Sequence, residues 1–223
     1  MSNSLDFLIL CGGKGTRLGS VGKKYPKSLL KFNSTTLLDK LIKKVSDNSN
    51  INQITLSCHY KYGYFIKYLK GMNYSKKIKC VNDGDISILE RITVHLNRAK
   101  NPLLVCYADE IANINITKLF KNHLKSKKLM TITTYKFFSS FGFLFKNSDN
   151  TYRFDEKPYL GNYNIGYYII NPETKKLIGN YKKMENFINF LCIKKELNEN
   201  IHSGRHITYN TFEEYKKSKN MKI

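Results

Sequence analysis

Between Phe7 and Tyr107 short apolar runs alternate with amphipathic segments, and few folds accommodate that order. Phe7-Leu8-Ile9-Leu10 is a short buried strand. In the segment Thr36 to Val45, Leu37 is followed by apolar residues at i+1, i+4, i+5 and i+8, the spacing of an amphipathic helix. Asn52 to Cys58 is strand-like and Gly63 to Leu69 helical, Ile78 to Val81 a strand, Ser87 to Ala99 a helix, and Leu103-Leu104-Val105-Cys106-Tyr107 a continuous apolar strand. An uninterrupted apolar strand is buried on both faces, as in the middle of a parallel sheet. Strands and helices in strict alternation, joined by short links, specify an α/β fold with a Rossmann-like, doubly wound, mostly parallel sheet. The piece Ser28 to Phe32 is expected to be extended.

The pattern changes after that strand. Met130 to Lys136, Phe141 to Phe145, Tyr152 to Phe154 and Asn164 to Ile170 have the composition of antiparallel or mixed strands. Glu185 to Leu197 is expected to be a helix, His206 to Tyr209 a late strand, and a charged helix to end the chain. There is no repeat and no Gly-, Pro- or Ser-rich linker, so residues 1–223 are expected to form one domain, dividing into halves of about 1–115 and about 116–223.

The charge is unusual: 38 Lys and Arg against 17 Asp and Glu give a net +21. Such a field attracts anions, nucleic acid among them. The lysines are dispersed over helical segments, however, and arginine occurs only at Arg17, Arg91, Arg98, Arg153 and Arg205, without an arginine-rich arm. A nucleic-acid partner is therefore not expected, and a polyphosphate substrate suits the field equally well. No window approaches the ~20 apolar residues of a membrane span, and Met1 to Asp6 lacks the pattern of a signal peptide. Five scattered cysteines without a CxxC indicate neither zinc nor a disulfide framework, and a cytoplasmic, reduced protein is expected. The five histidines are expected to be surface or satisfied residues, since only His202 and His206 stand four apart and no helix aims them together.

Ligands of open α/β sheets bind beyond the carboxyl ends of the strands, and the suggestive polar residues fall there. Directly after the first strand comes Cys11-Gly12-Gly13-Lys14-Gly15-Thr16-Arg17; after the Leu103–Tyr107 strand come Asp109 and Glu110. Strand, glycine loop and helix present backbone N–H groups to phosphate. The spacing is neither GxGxxG nor GxxxxGK[ST]. Arg17 and Lys27 flank the loop as two cations able to neutralise a triphosphate during phosphoryl transfer.

The run Leu8-Ile9-Leu10-Cys11-Gly12-Gly13-Lys14-Gly15-Thr16-Arg17-Leu18, followed by Pro26-Lys27-Ser28-Leu29-Leu30, resembles the signature of the sugar-1-phosphate nucleotidylyltransferases. Tyr107-Ala108-Asp109, Phe141-Gly142, Glu156-Lys157-Pro158, Asn164-Ile165-Gly166-Tyr167-Tyr168 and Thr208 to Tyr215 resemble its later motifs, in family order. The resemblance implies an NTP-binding first half and a smaller mixed or antiparallel sugar-phosphate-binding second half. The partners implied are a nucleoside triphosphate and a sugar 1-phosphate, and the products an NDP-sugar and pyrophosphate, for surface-glycan synthesis. It further implies catalytic roles for Arg17, Lys27 and Asp109, with Asp109 holding Mg²⁺. Nucleotide contacts would come from Leu10, Cys11, Gly12, Gly13, Lys14, Gly15 and Thr16, and from Gly84 and Ser87 in a base loop. Sugar-phosphate contacts would come from Gly142, Glu156, Lys157 and Asn164.

The compact length and Ser57-Cys58-His59-Tyr60 look similar to heptose 1-phosphate guanylyltransferases, which favours GTP with heptose or mannose 1-phosphate. CTP or dTTP members and a catalytically impaired binding homologue are the alternatives, and a homo-oligomer is left open. Departures from the family pattern, Thr208 and Ala108 foremost, motivate the last alternative. Thr208 stands where a second Mg²⁺ carboxylate is usual, with Glu110 a candidate replacement, and Asp85-Ile86-Ser87 replaces the usual base-loop sequence.

Overall fold

The structure, a computed structural model, describes residues 4–32, 35–72, 74, 78–208 and 214, without the side chains of Arg17, Phe32 and Ile111. The strands are β1 (Leu5–Leu10), β2 (Lys31–Phe32), β3 (Thr35–Thr36), β4 (Ile51–Cys58), β5 (Ile78–Asn82), β6 (Leu103–Tyr107), β7 (Glu110–Ala112), β8 (Met130–Phe138), β9 (Phe143–Lys146), β10 (Tyr152–Asp155), β11 (Tyr159–Ile170), β12 (Leu197–His202) and β13 (His206–Thr208). The helices are α1 (Gly19–Lys24), α2 (Leu37–Ser46), α3 (Tyr62–Lys70), α4 (Ile88–Arg98), α5 (Ile116–Ser126), α6 (Lys175–Ile178) and α7 (Met184–Ile193).

Seven strands form one sheet in the order β12-β8-β11-β6-β1-β4-β5. From β5 to β6 the neighbours are parallel; β11 is antiparallel to β6 and to β8, and β12 is parallel to β8. The doubly wound, mostly parallel expectation is met, with the antiparallel strands added on the β6 side. Because side chains alternate across a strand, β1 sends Phe7 and Ile9 into one core and Leu8 and Leu10 into the other. Leu38, Leu41 and Ile42 of α2, Phe65 of α3, and Leu119 and Phe120 of α5 cover the first face. Leu89, Ile92 and Leu96 of α4, with Phe187 and Leu191 of α7, cover the second.

Two of the helices carry their start signal in the sequence. Thr36 and Asp39 form a capping box on α2, and Ser87 and Glu90 form one on α4, each satisfying otherwise orphaned N–H groups.

Several boundaries differ from the sequence expectation. Lys27–Leu29 is a 3₁₀ turn, so only Lys31–Phe32 of the supposed extended piece is strand. The helix expected over Glu185 to Leu197 ends at Ile193, because Lys195 takes a left-handed conformation (φ 56°) and Leu197 starts β12. Strand β12 is polar, and side-chain bonds anchor it: Thr134 Oγ1 donates to Glu199 Oε1 at 2.6 Å, and Asn198 Nδ2 to Thr131 Oγ1 at 3.2 Å. No hydrophobic alternation announces such a strand. Helix α5 was not anticipated, although Ile116, Leu119, Phe120 and His123 on its buried side keep helical spacing. The late strand is described to Thr208; Tyr209 and the terminal helix lie outside the described residues.

The histidine of α5 is a core residue. His123 lies between Thr131 Oγ1, 2.8 Å from Nδ1, and Asn171 Oδ1, 3.0 Å from Nε2. Burial holds its pKa below the ordinary 6.5. The neutral ring is thus favoured in the folded state, and its contribution to stability is full above the unfolded value. That contribution is lost as pH falls through the folded value. Urea melts from about pH 7 to about pH 5 should show a shallower loss of stability in His123→Leu than in the native chain; parallel slopes would refute this.

Candidate active site

The parallel strands β1, β4, β5 and β6 all end at one edge, and the chain reverses its direction of winding between β1 and β6, where such folds leave a crevice. The ladder continues just past the strand ends: Cys11 N donates to Ser57 O at 2.8 Å and Ala108 N to Leu10 O at 3.1 Å. Beyond them opens a cleft of about 520 Å³. Leu10 through Thr16 line one wall, Lys27 and Ser28 another, Tyr107 to Glu110 the third, and Asp85, Ile86, Ile88 and Arg91 the fourth.

The loop wall depends on glycine geometry. Gly15 has φ 64°, a left-handed conformation, which glycine adopts without penalty. A Cβ at Gly22 in α1 would sit 2.1 Å from Gly15 O, so helix and loop touch backbone to backbone. Arg17 belongs to the 3₁₀ turn Thr16–Leu18; its side chain lies outside the described residues. Lys27, whose Cβ would lie 3.8 Å from a Cβ on Gly15, brings Nζ to Asp109 Oδ2 at 2.6 Å, joining two residues 82 apart in sequence. Lys14 Nζ lies 3.2 Å from Asp85 Oδ2 across the cleft mouth, and this lysine holds the Asp85 carboxyl below its usual range.

Asp109 has a second acidic neighbour. Glu110 opens β7, which pairs antiparallel with β13, Glu110 facing Thr208. Thr208 Oγ1 donates to Glu110 Oε1 at 3.2 Å, and His206 Nε2 lies 2.7 Å from Oε2. His206 Nδ1 in turn lies 3.1 Å from the Tyr163 hydroxyl. The residue standing in place of the family's second carboxylate therefore touches a carboxylate presented by the paired strand.

The base loop is held from beneath by Arg91, which sequence reasoning missed. Its guanidinium, almost fully buried, donates from Nη2 to Gly84 O at 2.6 Å and from Nη1 to Cys58 O at 3.3 Å. A Cβ on Gly12 would meet Arg91 Cζ at 2.8 Å, so the glycine loop lies directly on the guanidinium. Gly84 and Ser87 do not line the cleft: the Gly84 carbonyl is held by Arg91, and the Ser87 hydroxyl accepts from Glu90 N at 3.2 Å as a helix cap. Asp85, Ile86 and Ile88 face the cleft from that loop.

Of the expected sugar-side residues, two meet beside one hairpin. Gly142 and Glu156 flank the hairpin of β9 and β10, in contact: a Cβ on Gly142 would lie 2.9 Å from Glu156 Oε2. Lys157 follows with φ 51°. Asn164 bonds within β11, accepting from Gly166 N at 2.8 Å and donating to the Tyr168 hydroxyl. None of the four lines the cleft.

The nucleotidyl transferase family model matches residues 7–214. The chain belongs to this family. The D-glycero-alpha-D-manno-heptose 1-phosphate guanylyltransferase of Campylobacter jejuni is 28% identical over 187 residues, spanning 82% of each chain. The mannose-1-phosphate guanyltransferase of Yarrowia lipolytica is 28% identical over 184 residues, and there the chain spans 50% of the relative's length. The solved structure of HddC from Yersinia pseudotuberculosis shares the fold, with a TM-score of 0.73 at 24% identity over 96% of this chain and 98% of that one. Membership in a nucleotidyltransferase family is what the glycine-loop signature implied.

Arg91 makes a test of the site's construction. Arg91→Met leaves the Gly84 and Cys58 carbonyls without their charged donor, a loss of about 1.5–3 kcal/mol for each hydrogen bond to a charged group. Thermal melts should fall well below those of the native chain, and Arg91→Lys, which cannot span both carbonyls, should recover only part. Full recovery by lysine would show that charge alone matters there.

Proposed function

We propose that the chain transfers the nucleoside monophosphate part of an NTP to a sugar 1-phosphate, GTP with heptose or mannose 1-phosphate being the favoured pair. The observation that carries this is the Lys27–Asp109 pair at 2.6 Å in the cleft that the glycine loop also lines: a cation suited to steering phosphate and a carboxylate suited to holding a metal meet where phosphates would lie. The guanylyltransferase relatives support the choice of GTP.

In this reading the backbone amides of Gly12, Gly13 and Gly15 hold the triphosphate, and Arg17 neutralises the β- and γ-phosphates. Lys27 bridges the α-phosphate and the sugar phosphate, reducing the repulsion between two anions that must meet. A sugar-phosphate oxygen attacks the α-phosphorus in line. The new P–O bond forms as the α–β bridge bond breaks, and pyrophosphate leaves with that electron pair. Positioning and charge neutralisation supply the rate. Gly142, Glu156, Lys157 and Asn164 bind the sugar phosphate from the hairpin side.

The residues present fit Mg²⁺. Asp109 and Glu110 are hard oxygen donors at one cleft wall, and Mg²⁺ characteristically takes one or two carboxylates with substrate phosphates completing its shell. Among the described residues no three His, Cys, Asp or Glu side chains form a self-sufficient metal cage, which agrees with a site completed by substrate. Asp109 and Glu110 would hold Mg²⁺ there, and the bound ion would supply Lewis-acid stabilisation of the charge that develops on the leaving group. His206 and Thr208 fix the Glu110 carboxylate. Free thiols at all five cysteines suit a cytoplasmic location.

Pyrophosphate release, measured across common NTPs and a panel of sugar 1-phosphates with Mg²⁺, should give a signal for one pair. Asp109→Ala, Arg17→Ala and Lys27→Ala should each reduce it by about 10²–10³-fold, the usual loss on deleting one charge-stabilising group. Glu110→Gln should raise the Mg²⁺ needed for half-maximal rate by about 10-fold or more. Silence over the whole panel, with no NTP raising the melting temperature, would refute the proposal.

A further inference from the structure

In the loop between β5 and α4 most polar side chains are committed to the fold. Asn82 Oδ1 accepts from Gly84 N at 3.2 Å, Asp83 bonds the Ser57 hydroxyl and lies 2.9 Å from His95 Nε2, and Ser87 caps α4. Asp85 differs. Its carboxylate lines the cleft, its side chain is 67% exposed, and its ion-pair partner, Lys14, is 58% exposed on a flexible stem. Exposed pairs of this kind contribute little stability. Ile86 and Ile88 also line the cleft, and apolar lining with a few placed polar groups is what orients a ligand in a pocket.

We infer that Asp85 reads the nucleobase edge of the bound NTP and selects guanine. The inference rests on the nucleotide role proposed above and adds the residue that decides the base. An ionised carboxylate offers two adjacent acceptors and no donor. Guanine alone among the common bases presents two adjacent donors, N1–H and the N2 amine. Adenine and cytosine place a ring-nitrogen lone pair beside their exocyclic amine, and uracil and thymine flank N3–H with two carbonyls; each sets a lone pair against the carboxylate. A bidentate, charge-assisted pair is the stronger kind of hydrogen bonding, and a site built for it rejects bases that leave it unmatched. The clamp of Arg91 on Gly84 O at 2.6 Å fixes the loop from which Asp85 projects.

The test is equilibrium binding of GTP, ITP, XTP, ATP, CTP, UTP and dTTP to the intact chain and to Asp85→Asn and Asp85→Ala. Asp85 is exposed, so nucleotide-free melting temperatures of the variants should match the native one. GTP should bind tightest. ITP, which lacks the N2 amine, should bind about 10–100-fold more weakly, as expected for one hydrogen bond to a charged group. Asp85→Ala should erase the distinction, and Asp85→Asn should weaken GTP and strengthen XTP, whose 2-carbonyl accepts from the new amide. Preference for another base, or a GTP preference unchanged in both variants, would overturn the inference while leaving the nucleotidyl-transfer reading standing. Failure of the native chain to bind any NTP would refute that reading, and the inference with it.

Discussion

Everything at the cleft depends on β1 being hydrogen-bonded on both edges while its side chains are buried on both faces. All six of its residues pair with β4 on one edge, Asp6 to Leu10 pair with β6 on the other, and all six are buried. A parallel strand in that position cannot bend or fray without stranding backbone groups away from water. The end of the strand is therefore sharply defined: Cys11 N makes the last bond to β4, and the glycine loop that follows lines the cleft. The same pairing carries β6 to its end beside β1, so Asp109 emerges opposite the loop. Glycine loop and carboxylate line one cleft because two adjacent strands stop at the same level.

The buried guanidinium of Arg91 extends that order to the third strand end. It links the last carbonyl of β4, the Gly84 carbonyl beyond β5, and the underside of Gly12. Three loops that could each move alone share one planar donor group, and arginine suits this because its donors are held in a rigid fork. Lysine could satisfy only one such partner at full strength. A charge this deeply buried is tolerated because polar atoms meet it on several sides.

How much of this was legible in the sequence follows from what kind of interaction made each part. The parallel half was legible because buried parallel strands are continuous apolar runs and because Ser87 and Glu90 carry a capping box. The glycine loop, Lys27 and Asp109 were legible from order and spacing, and the structure brings them to one cleft. Strand β12 was not legible, since polar side-chain bonds to β8 and β11 hold it and leave no alternation. The contact of Thr208 with Glu110 depends on strand pairing over 98 residues, which no local pattern encodes. Arg91 left one faint signal: in a chain where lysine supplies most of the positive charge, an arginine beside the apolar face of a helix is a residue chosen for its fork.

The charge distribution at the cleft explains how a +21 chain can present carboxylates to an anionic ligand. Each acidic group there has a partner: Asp109 has Lys27, Asp85 has Lys14, and Glu110 has His206. Left alone, these carboxylates would repel a triphosphate; left alone, the lysines would hold any passing anion. Paired, the two kinds of charge offset one another at short range. An entering triphosphate can draw Lys14 and Lys27 toward its oxygens, and that exchange costs little at Asp85, because its pair with Lys14 is exposed and weak. In the proposed reaction the carboxylates released by the exchange would meet a base edge at Asp85 and a hard cation at Asp109. On that reading the same cations would screen the acids before binding and neutralise the phosphates after it.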